Sequence, residues 1–375
     1  MARKKTTKTT RKSRASTPSL ASLRSSIDKL DRELLKLCNN RAKLAITIGK
    51  LKDDSGQDCY APGREEEVLG KISDSNKGPL QTRALRSIFR ELISGSRSLE
   101  RDKALRVAYL GPPYSFSHLA SLEKFGDSVD HIPVGSISAV FEEINRAHVE
   151  YGLVPIENST DGRVADTLDT FTRLPLKLCA EVRLPIHHNL LAKCSRSDVT
   201  EVYSRPQALS QCRNWLAKNL PQARIHEVTS TSTAAQLARD KPGAAAVASR
   251  QAGLHYGLDI IAENIEDNAS NVTRFAVIGK QAGDRTGRDK TAIMFNISHR
   301  PGSLADALTV FKRNKVNLTW IESFPIRGTT SDYLFFVDFE GHERDAKVKR
   351  SLTSLERKTE RLVVLGSYPA SDPIE

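Results

Sequence analysis

The sequence predicts a multidomain chain: an all-α region first, a two-lobed α/β region in the centre, and a small α+β unit of ferredoxin-like order at the end. Three observations carry this. Apolar residues recur at alternating steps of three and four from Leu23 to Leu51, the period of a helix packed along one stripe. From Leu105 short β-rich runs alternate with helical segments, an α/β pattern. After a polar, Gly-containing linker over residues 281–289, the order strand, helix, strand, strand, helix, strand fits one compact unit. At 375 residues, with 39% hydrophobic and 27% charged positions, the chain has room for two or three cores and the composition of a globular protein. The expected boundaries are a disordered basic tail at 1–16 and units at 17–103, 105–280 and 289–369.

In the first region Ser19 or Ser22 can cap a long helix, Pro62 sits near the start of a second, and Pro79 precedes a third running through Leu85, Ile88, Phe89, Leu92 and Ile93. The stripe of the first helix reads Leu23, Ile27, Leu30, Leu34, Leu37, Arg41, Leu44, Ile48, Leu51, so Arg41 interrupts an apolar seam. A guanidinium removed from water costs several kcal/mol unless an anion answers it. Lys52, eleven residues on, points the same way, about three turns at roughly 100° per residue. Two readings stand for this pair of cations: a ligand carboxylate, or an internal ion pair with Glu65 or Glu66. So broad a stripe has few partners in so short a region, which predicts self-association with long helices crossing between subunits.

The central region offers strands at RVAYLG, YGLVPIE and AAAVAS, with helices around His118–Phe125 and Asp166–Phe171. Turns rich in Gly, Pro, Ser and Thr follow several strands: Gly111-Pro112-Pro113, Glu157-Asn158-Ser159 and Ser230-Thr231-Ser232. Helix N-termini there present free N–H groups that suit anions, which puts the pocket at those strand ends. The last unit reads as strand Thr291–Ser298, a helix opening at Ser303, strands Asn317–Ser323 and Tyr333–Glu340, a helix near Asp345–Lys358, and strand Arg361–Tyr368.

Composition narrows the functional classes. No run of 18 apolar residues and no secretory pattern occurs, so a membrane partner is not expected and a cytoplasmic location is. Five widely spaced cysteines without a CxxC pair argue for reduced thiols, and the adjacent His187 and His188 lack ligand spacing, so no metal is predicted. The formal charge is +12, but residues 1–16 hold seven Lys/Arg and no acid, leaving +5 for the rest. The tail has no interleaved aromatics and no reading helix follows it, so nucleic acid is not the expected partner.

With these residues in place the chain resembles the bifunctional chorismate mutase/prephenate dehydratase family with a C-terminal ACT domain. The resemblance implies an all-α mutase domain, a two-lobed dehydratase domain like periplasmic binding proteins, and a ferredoxin-like regulatory domain. It also implies synthesis of phenylpyruvate from chorismate by way of prephenate, without cofactors, in a homodimer or homotetramer with L-phenylalanine as effector. For the mutase it supplies Arg24, Arg41, Lys52, Arg64, Glu65, Ser96 and Glu100. Arg24 lies 17 residues before Arg41, about 25 Å along one helix, too far to share its pocket, so it should serve the partner subunit. Arg41 and Arg24 of the partner subunit would bind the two carboxylates, Lys52 one carboxylate and the ether oxygen, and Glu65 the ring hydroxyl. Glu100 stands where relatives have glutamine and must be protonated to donate to the ether oxygen. Ala61 replaces an aspartate found in some relatives, so Glu65 carries more of the hydroxyl contact.

For the dehydratase the resembling motifs are Gly111–Ser117, Val154–Ser159, Pro206-Gln207, Ser230–Ala234 and Asn271–Phe275. They imply Thr273 as the acid aimed at the leaving hydroxyl, Asn158 and Gln207 as orienting groups and Glu157 as their support. Ser232, Thr233 and Arg274 are then expected on substrate carboxylates. Arg205 stands where relatives carry histidine, and Tyr114-Ser115-Phe116 where they carry Gly-Thr-Phe. The ACT resemblance rests on Gly302-Ser303-Leu304 and Glu322-Ser323-Phe324-Pro325, with Phe324 in place of an arginine. It implies effector contacts from Gly302, Ser303, Leu304, Glu322, Ser323 and Pro325. A competing reading is a non-catalytic sensor of amino acids or carboxylates with the same two-lobed architecture, in which Thr273 would have no chemical task.

Overall fold

The computed structural model describes residues 19–55, 60–100, 104–160, 162–325 and 333–371. The basic segment expected to be disordered and Cys59 lie outside them. Three helices come first: α1 (Leu20–Ser55), α2 (Pro62–Ser75) and α3 (Thr82–Ser98). Ser19 caps α1 by accepting from the Ser22 N–H at 3.2 Å, and Pro62 opens α2 where a missing N–H costs nothing. Gly49 lets α1 meet the end of α3, since a Cβ there would lie 2.6 Å from the Glu100 carbonyl oxygen. The apolar stripe of α1 stays open in the protomer, from Leu23 at 48% exposure to Leu44 at 67%. So large an uncovered apolar surface is unusual on a monomeric protein.

Two lobes follow. The first contains β1 (Arg106–Leu110), α4 (Phe116–Phe125), β2 (Asp130–Val134), α5 (Ile137–Asn145), β3 (Tyr151–Asn158), β4 (Gly162–Arg163), α6 (Ala165–Arg173) and β5 (Lys177–Pro185). The second contains β6 (Asn189–Ala192), β7 (Glu201–Ser204), α7 (Pro206–Gln211), α8 (Arg213–Asn219), β8 (Arg224–Glu227), α9 (Thr231–Asp240), β9 (Ala244–Ala248), α10 (Arg250–Tyr256) and β10 (Asp259–Ala262). The chain then returns to the first lobe as β11 (Val272–Gly279). One sheet runs β2-β1-β3-β11-β5 with β4 on β3; the other runs β10-β6-β9-β7-β8. The backbone therefore crosses between lobes twice, at 185–189 and 262–272, and the cleft between them is bounded by strand ends and helix N-termini.

The last unit is β12 (Asp289–Asn296), α11 (Ser303–Arg313), β13 (Leu318–Pro325), β14 (Tyr333–Glu340), α12 (Ala346–Glu356) and β15 (Arg361–Pro369), in sheet order β13-β14-β12-β15. One sheet face buries Ile293, Phe295, Val337 and Phe339 against α11 and α12. The other face, with Ala292, Met294, Phe336 and Tyr368, shares a core with Leu176, Leu178 and Ile278 of the first lobe. Docking is close enough that a Cβ on Gly366 would lie 2.2 Å from the Leu178 carbonyl oxygen, so only glycine fits. Burial on both faces explains the apolar runs of β12 and β14, which read as strands but did not reveal the second partner. Among the described residues no helix is long and apolar enough to cross a membrane.

Candidate active sites

The inter-lobe cleft has a volume of about 800 Å³ and is lined by both lobes. Ser115, Ser136 and Ser230 cap α4, α5 and α9 by accepting from the N–H groups of His118, Ala139 and Thr233, and all three serines line the cleft. Three helix N-termini thus converge on one space and favour anionic ligands. Arg205 is the lysine or arginine on this wall among the described residues, and Asp166 the carboxylate.

Thr273 lines the cleft from the start of β11 and pairs in register with Asn158 at the end of β3. Asn158 Nδ2 donates to Thr273 Oγ1 at 2.8 Å and to Asn271 Oδ1 at 3.0 Å, and its Oδ1 accepts from the Thr160 N–H at 2.9 Å. Asn271 Nδ2 donates to Gln211 Oε1 at 3.0 Å, which also lies 2.9 Å from His188 Nε2. With Gln211 Oε1 as acceptor, the shared proton sits on His188 Nε2, and Nδ1 has no hydrogen-bond partner among the described residues. Burial holds the His188 pKa below its ordinary value, so the neutral ring is the stable form. Every amide in this network is oriented by its neighbour, and the Thr273 hydroxyl accepts from Asn158. Thr273 is 8% exposed, Asn158 7%, Asn271 2% and His188 2%, so the network is screened from bulk water.

Gln207 and Arg205 also line the cleft, as the sequence implied. Four other residues do not. Ser232 is buried, and its hydroxyl donates to the Pro113 carbonyl at 2.6 Å. Thr233 is spent on the α9 cap through Ser230 at 2.8 Å. The members of that turn that do reach the cleft are Thr229, Ser230 and Thr231. Arg274 points the opposite way from Thr273, as alternation along β11 requires. Its Nε meets Glu181 at 2.7 Å, its Nη2 bonds Asp338 and the Tyr368 hydroxyl, and its Nη1 lies 3.8 Å from Glu157. Arg274 therefore joins the first lobe to the C-terminal unit, and Glu157 lies beside it instead of on the cleft wall.

The helical region assembles a second site between α1, α2 and α3. Arg41 Nη1 donates to the Leu92 carbonyl at 2.9 Å and to Ser96 Oγ, both neutral oxygens. The alternative internal partners are taken elsewhere: Glu65 pairs with Arg97 at 2.7 Å and Glu66 with Arg86 at 2.8 Å. Among the described residues no carboxylate sits within 4.0 Å of Arg41, so no internal acid answers its charge there. Lys52 Nζ lies 3.8 Å from Glu100 Oε2, an atom with no hydrogen bond among the described residues. Burial raises the Glu100 pKa, Lys52, Arg97 and Arg41 pull it down, Glu65 pushes it up, and the net shift is upward. Arg24 is exposed on α1, apart from this group, and Arg64 is exposed on α2, paired with Glu67 at 2.7 Å.

In the C-terminal unit Gly302 adopts φ +84° immediately before α11, a conformation that favours glycine. Ser303 opens the helix with a buried hydroxyl that bonds to nothing among the described residues, and Leu304 packs into the unit's core. Glu322 on the edge strand β13 reaches Arg163 of the first lobe at 3.1 Å, while Ser323 and Pro325 are exposed beside it.

The sequence did not mark Gln211, His188 or Ser136 as site residues. Gln211 follows Gln207 by four residues, one turn of a helix, and that spacing was the available signal. His188 had none, because its partner is supplied by the other lobe.

Known proteins match this arrangement in the same order. The chorismate mutase type II family matches residues 23–101, prephenate dehydratase 107–283 and the ACT domain 291–357. The chain is 45% identical over 348 residues to the bifunctional chorismate mutase/prephenate dehydratase of Aquifex aeolicus, spanning 92% of this chain and 96% of that one. The same-named protein of Stutzerimonas stutzeri is 41% identical over 350 residues, covering 92% and 95%. Among solved structures, prephenate dehydratase of Arthrobacter aurescens in complex with L-Phe is 32% identical with a TM-score of 0.66, over 71% of this chain and 90% of that one. From helical site, hydroxyl-bearing cleft and ferredoxin-like unit together, the chain belongs to the bifunctional chorismate mutase/prephenate dehydratase family with a C-terminal ACT domain.

Proposed function

We propose that residues 17–103 rearrange chorismate to prephenate, that residues 105–280 convert prephenate to phenylpyruvate, and that L-phenylalanine bound by residues 289–369 restrains the pathway to its own synthesis. The first step is an internal rearrangement. The protein's task is to hold a compact conformer and stabilise charge on the breaking ether oxygen. Arg41 binds one carboxylate, Arg24 of the partner subunit the other, and Lys52 with protonated Glu100 donates to the ether oxygen. Glu65, fixed by Arg97, accepts from the ring hydroxyl. The open stripe of α1 supports a homodimer or homotetramer in which Arg24 crosses to the neighbour.

In the second step the ring loses CO₂ and its hydroxyl and becomes aromatic, so a weak acid suffices. Thr273 passes its proton to the departing hydroxyl, which leaves as water, while Asn158 Nδ2–H stabilises the oxygen left behind. The electron pair of the breaking C–CO₂ bond enters the ring. Neither step delivers electrons to an acceptor, so no redox cofactor is called for. The N-termini of α4, α5 and α9 with Arg205 receive the carboxylates.

The observation that carries this reading is the buried amide chain ending on the Thr273 hydroxyl at the cleft wall. Purified protein given chorismate or prephenate, with and without phenylalanine, should form phenylpyruvate from either and slow when phenylalanine is added. Binding of prephenate without turnover would instead establish a sensor.

A further inference from the structure

A separate cavity of about 370 Å³ lies where α2 and α3 meet the first lobe, and neither Thr273 nor Arg41, Lys52, Ser96 or Glu100 lines it. Its walls carry six cations, Arg83, Arg86, Arg90, Arg97, Lys124 and Arg183, against four carboxylates. Each carboxylate is already engaged: Glu65 by Arg97 at 2.7 Å, Glu66 by Arg86 at 2.8 Å, Glu123 by Arg90 at 2.6 Å, and Glu181 by Arg274 at 2.7 Å and Lys290 at 3.0 Å. Arg83, Lys124 and Arg183 have no carboxylate within 4.0 Å among the described residues. Three uncompensated cations around one cavity repel each other unless an anion joins them.

We infer that this seam between the mutase helices and the dehydratase lobe is a binding site for a small dianion, a dicarboxylate or a phosphate, separate from the dehydratase cleft and bordering the mutase site through Glu65. Burial disfavours the charge on Lys124 unless an anion joins it. Burial lowers the Lys124 pKa, Arg90 and Arg97 add to that, and Glu66 and Glu65 offset only part of it. Burial also raises the Glu123 pKa, with Arg90, Arg83 and Arg86 opposing, and its carboxylate stays paired with Arg90 at 2.6 Å. An anion between Lys124 and Arg183 relieves the strain on Lys124. The volume falls in the range of small-ligand pockets and suits a compact ring acid as well as a phosphate ester.

Occupancy has a consequence for the first reaction, and this clause rests on the mutase reading above. Arg97 lines the cavity, holds Glu65 and donates to the Phe125 carbonyl of the dehydratase lobe at 2.6 Å. A dianion that draws on Arg97 changes how Glu65 is held, and mutase turnover moves with it.

The test uses the full chain at fixed ionic strength, titrated by calorimetry with malonate and separately with inorganic phosphate. An Arg41→Gln/Arg205→Gln background disarms both reaction sites. Saturable binding of either probe should persist there and weaken about tenfold or more on adding Lys124→Met or Arg183→Gln, the loss of a charge-assisted contact. The exposed Arg83→Gln should weaken it too, and covers the case in which a more buried variant does not fold. Whichever probe binds identifies the ligand class. The site is refuted if neither probe saturates, if binding vanishes in the background variant, or if the Lys124, Arg183 and Arg83 variants bind as the background does. Because binding is read without turnover, an inactive mutase would leave this result standing.

Discussion

Replacing Arg274 with methionine separates two roles for that residue, since a substrate cation and a structural one fail differently. The guanidinium on β11 bonds Glu181 of β5 at 2.7 Å, Asp338 of β14, and the Tyr368 hydroxyl of β15 at 2.7 Å, and lies over the Trp320 ring at 5.6 Å. Glu181 is 1% exposed and Asp338 2%. Without Arg274, Asp338 keeps only the Tyr368 hydroxyl at 3.1 Å, while Glu181 keeps Lys290 at 3.0 Å and the Ser371 N–H at 3.1 Å. Breaking a buried pair from one side costs about 3–5 kcal/mol, because a carboxylate is left in a medium that cannot solvate it. For a unit of this size each kcal/mol lowers Tm by roughly 2–4 °C, so a fall of about 6–20 °C is expected in calorimetry of the dehydratase transition. The pH dependence has a definite sign. Burial alone would raise the Glu181 pKa, but Arg274 and Lys290 outweigh it and hold it below the ordinary carboxylate value. That contribution is complete above the unfolded pKa near 4.3 and is lost as pH falls through the lower folded value. Arg274→Met should therefore flatten the acid limb of stability. The KM for prephenate should change little, and inhibition by phenylalanine should weaken because the tie to the ACT sheet is gone. An unchanged Tm with a KM raised about tenfold would refute this account and return Arg274 to the substrate.

Two further outcomes follow from the helical region. Mutase activity should fall as pH rises through the raised pKa of Glu100, since only its protonated form donates, and Glu100→Gln should flatten that limb; superimposable profiles would contradict the assignment. Leu34→Glu on the open stripe should weaken self-association by about 10²- to 10⁴-fold, two buried leucines per contact at roughly 1.5–3 kcal/mol each, and lower mutase turnover with it; sedimentation that stays oligomeric with full activity would contradict the crossing of Arg24.

What was legible in the sequence was whatever local chemistry alone encodes. The period of α1, the Pro62 start, and the strand–helix order of the last unit all depend on neighbours in sequence, and each observed element lies within a few residues of its expected place. Arg41 announced itself as a charge in an apolar stripe. What could not be read was direction. Thr273 and Arg274 are adjacent, yet one faces the cleft and the other a buried acid pair, because β11 is covered on both sides. Ser232 and Thr233 looked equivalent to Ser230 and Thr231, and only the helical turn of α9 decides which of the four meet the ligand. The docking of the ACT sheet onto the first lobe had one trace, Gly366, whose need for glycine shows only when Leu178 is beside it.

The central claim is that the Thr273 hydroxyl, aimed by Asn158, is the proton donor of the dehydratase. Thr273→Val keeps the shape and removes the proton, so phenylpyruvate formation from prephenate by the full chain should drop by about 10²-fold or more, with prephenate still bound and chorismate still consumed. Turnover of prephenate by that variant at the parent rate would contradict the account.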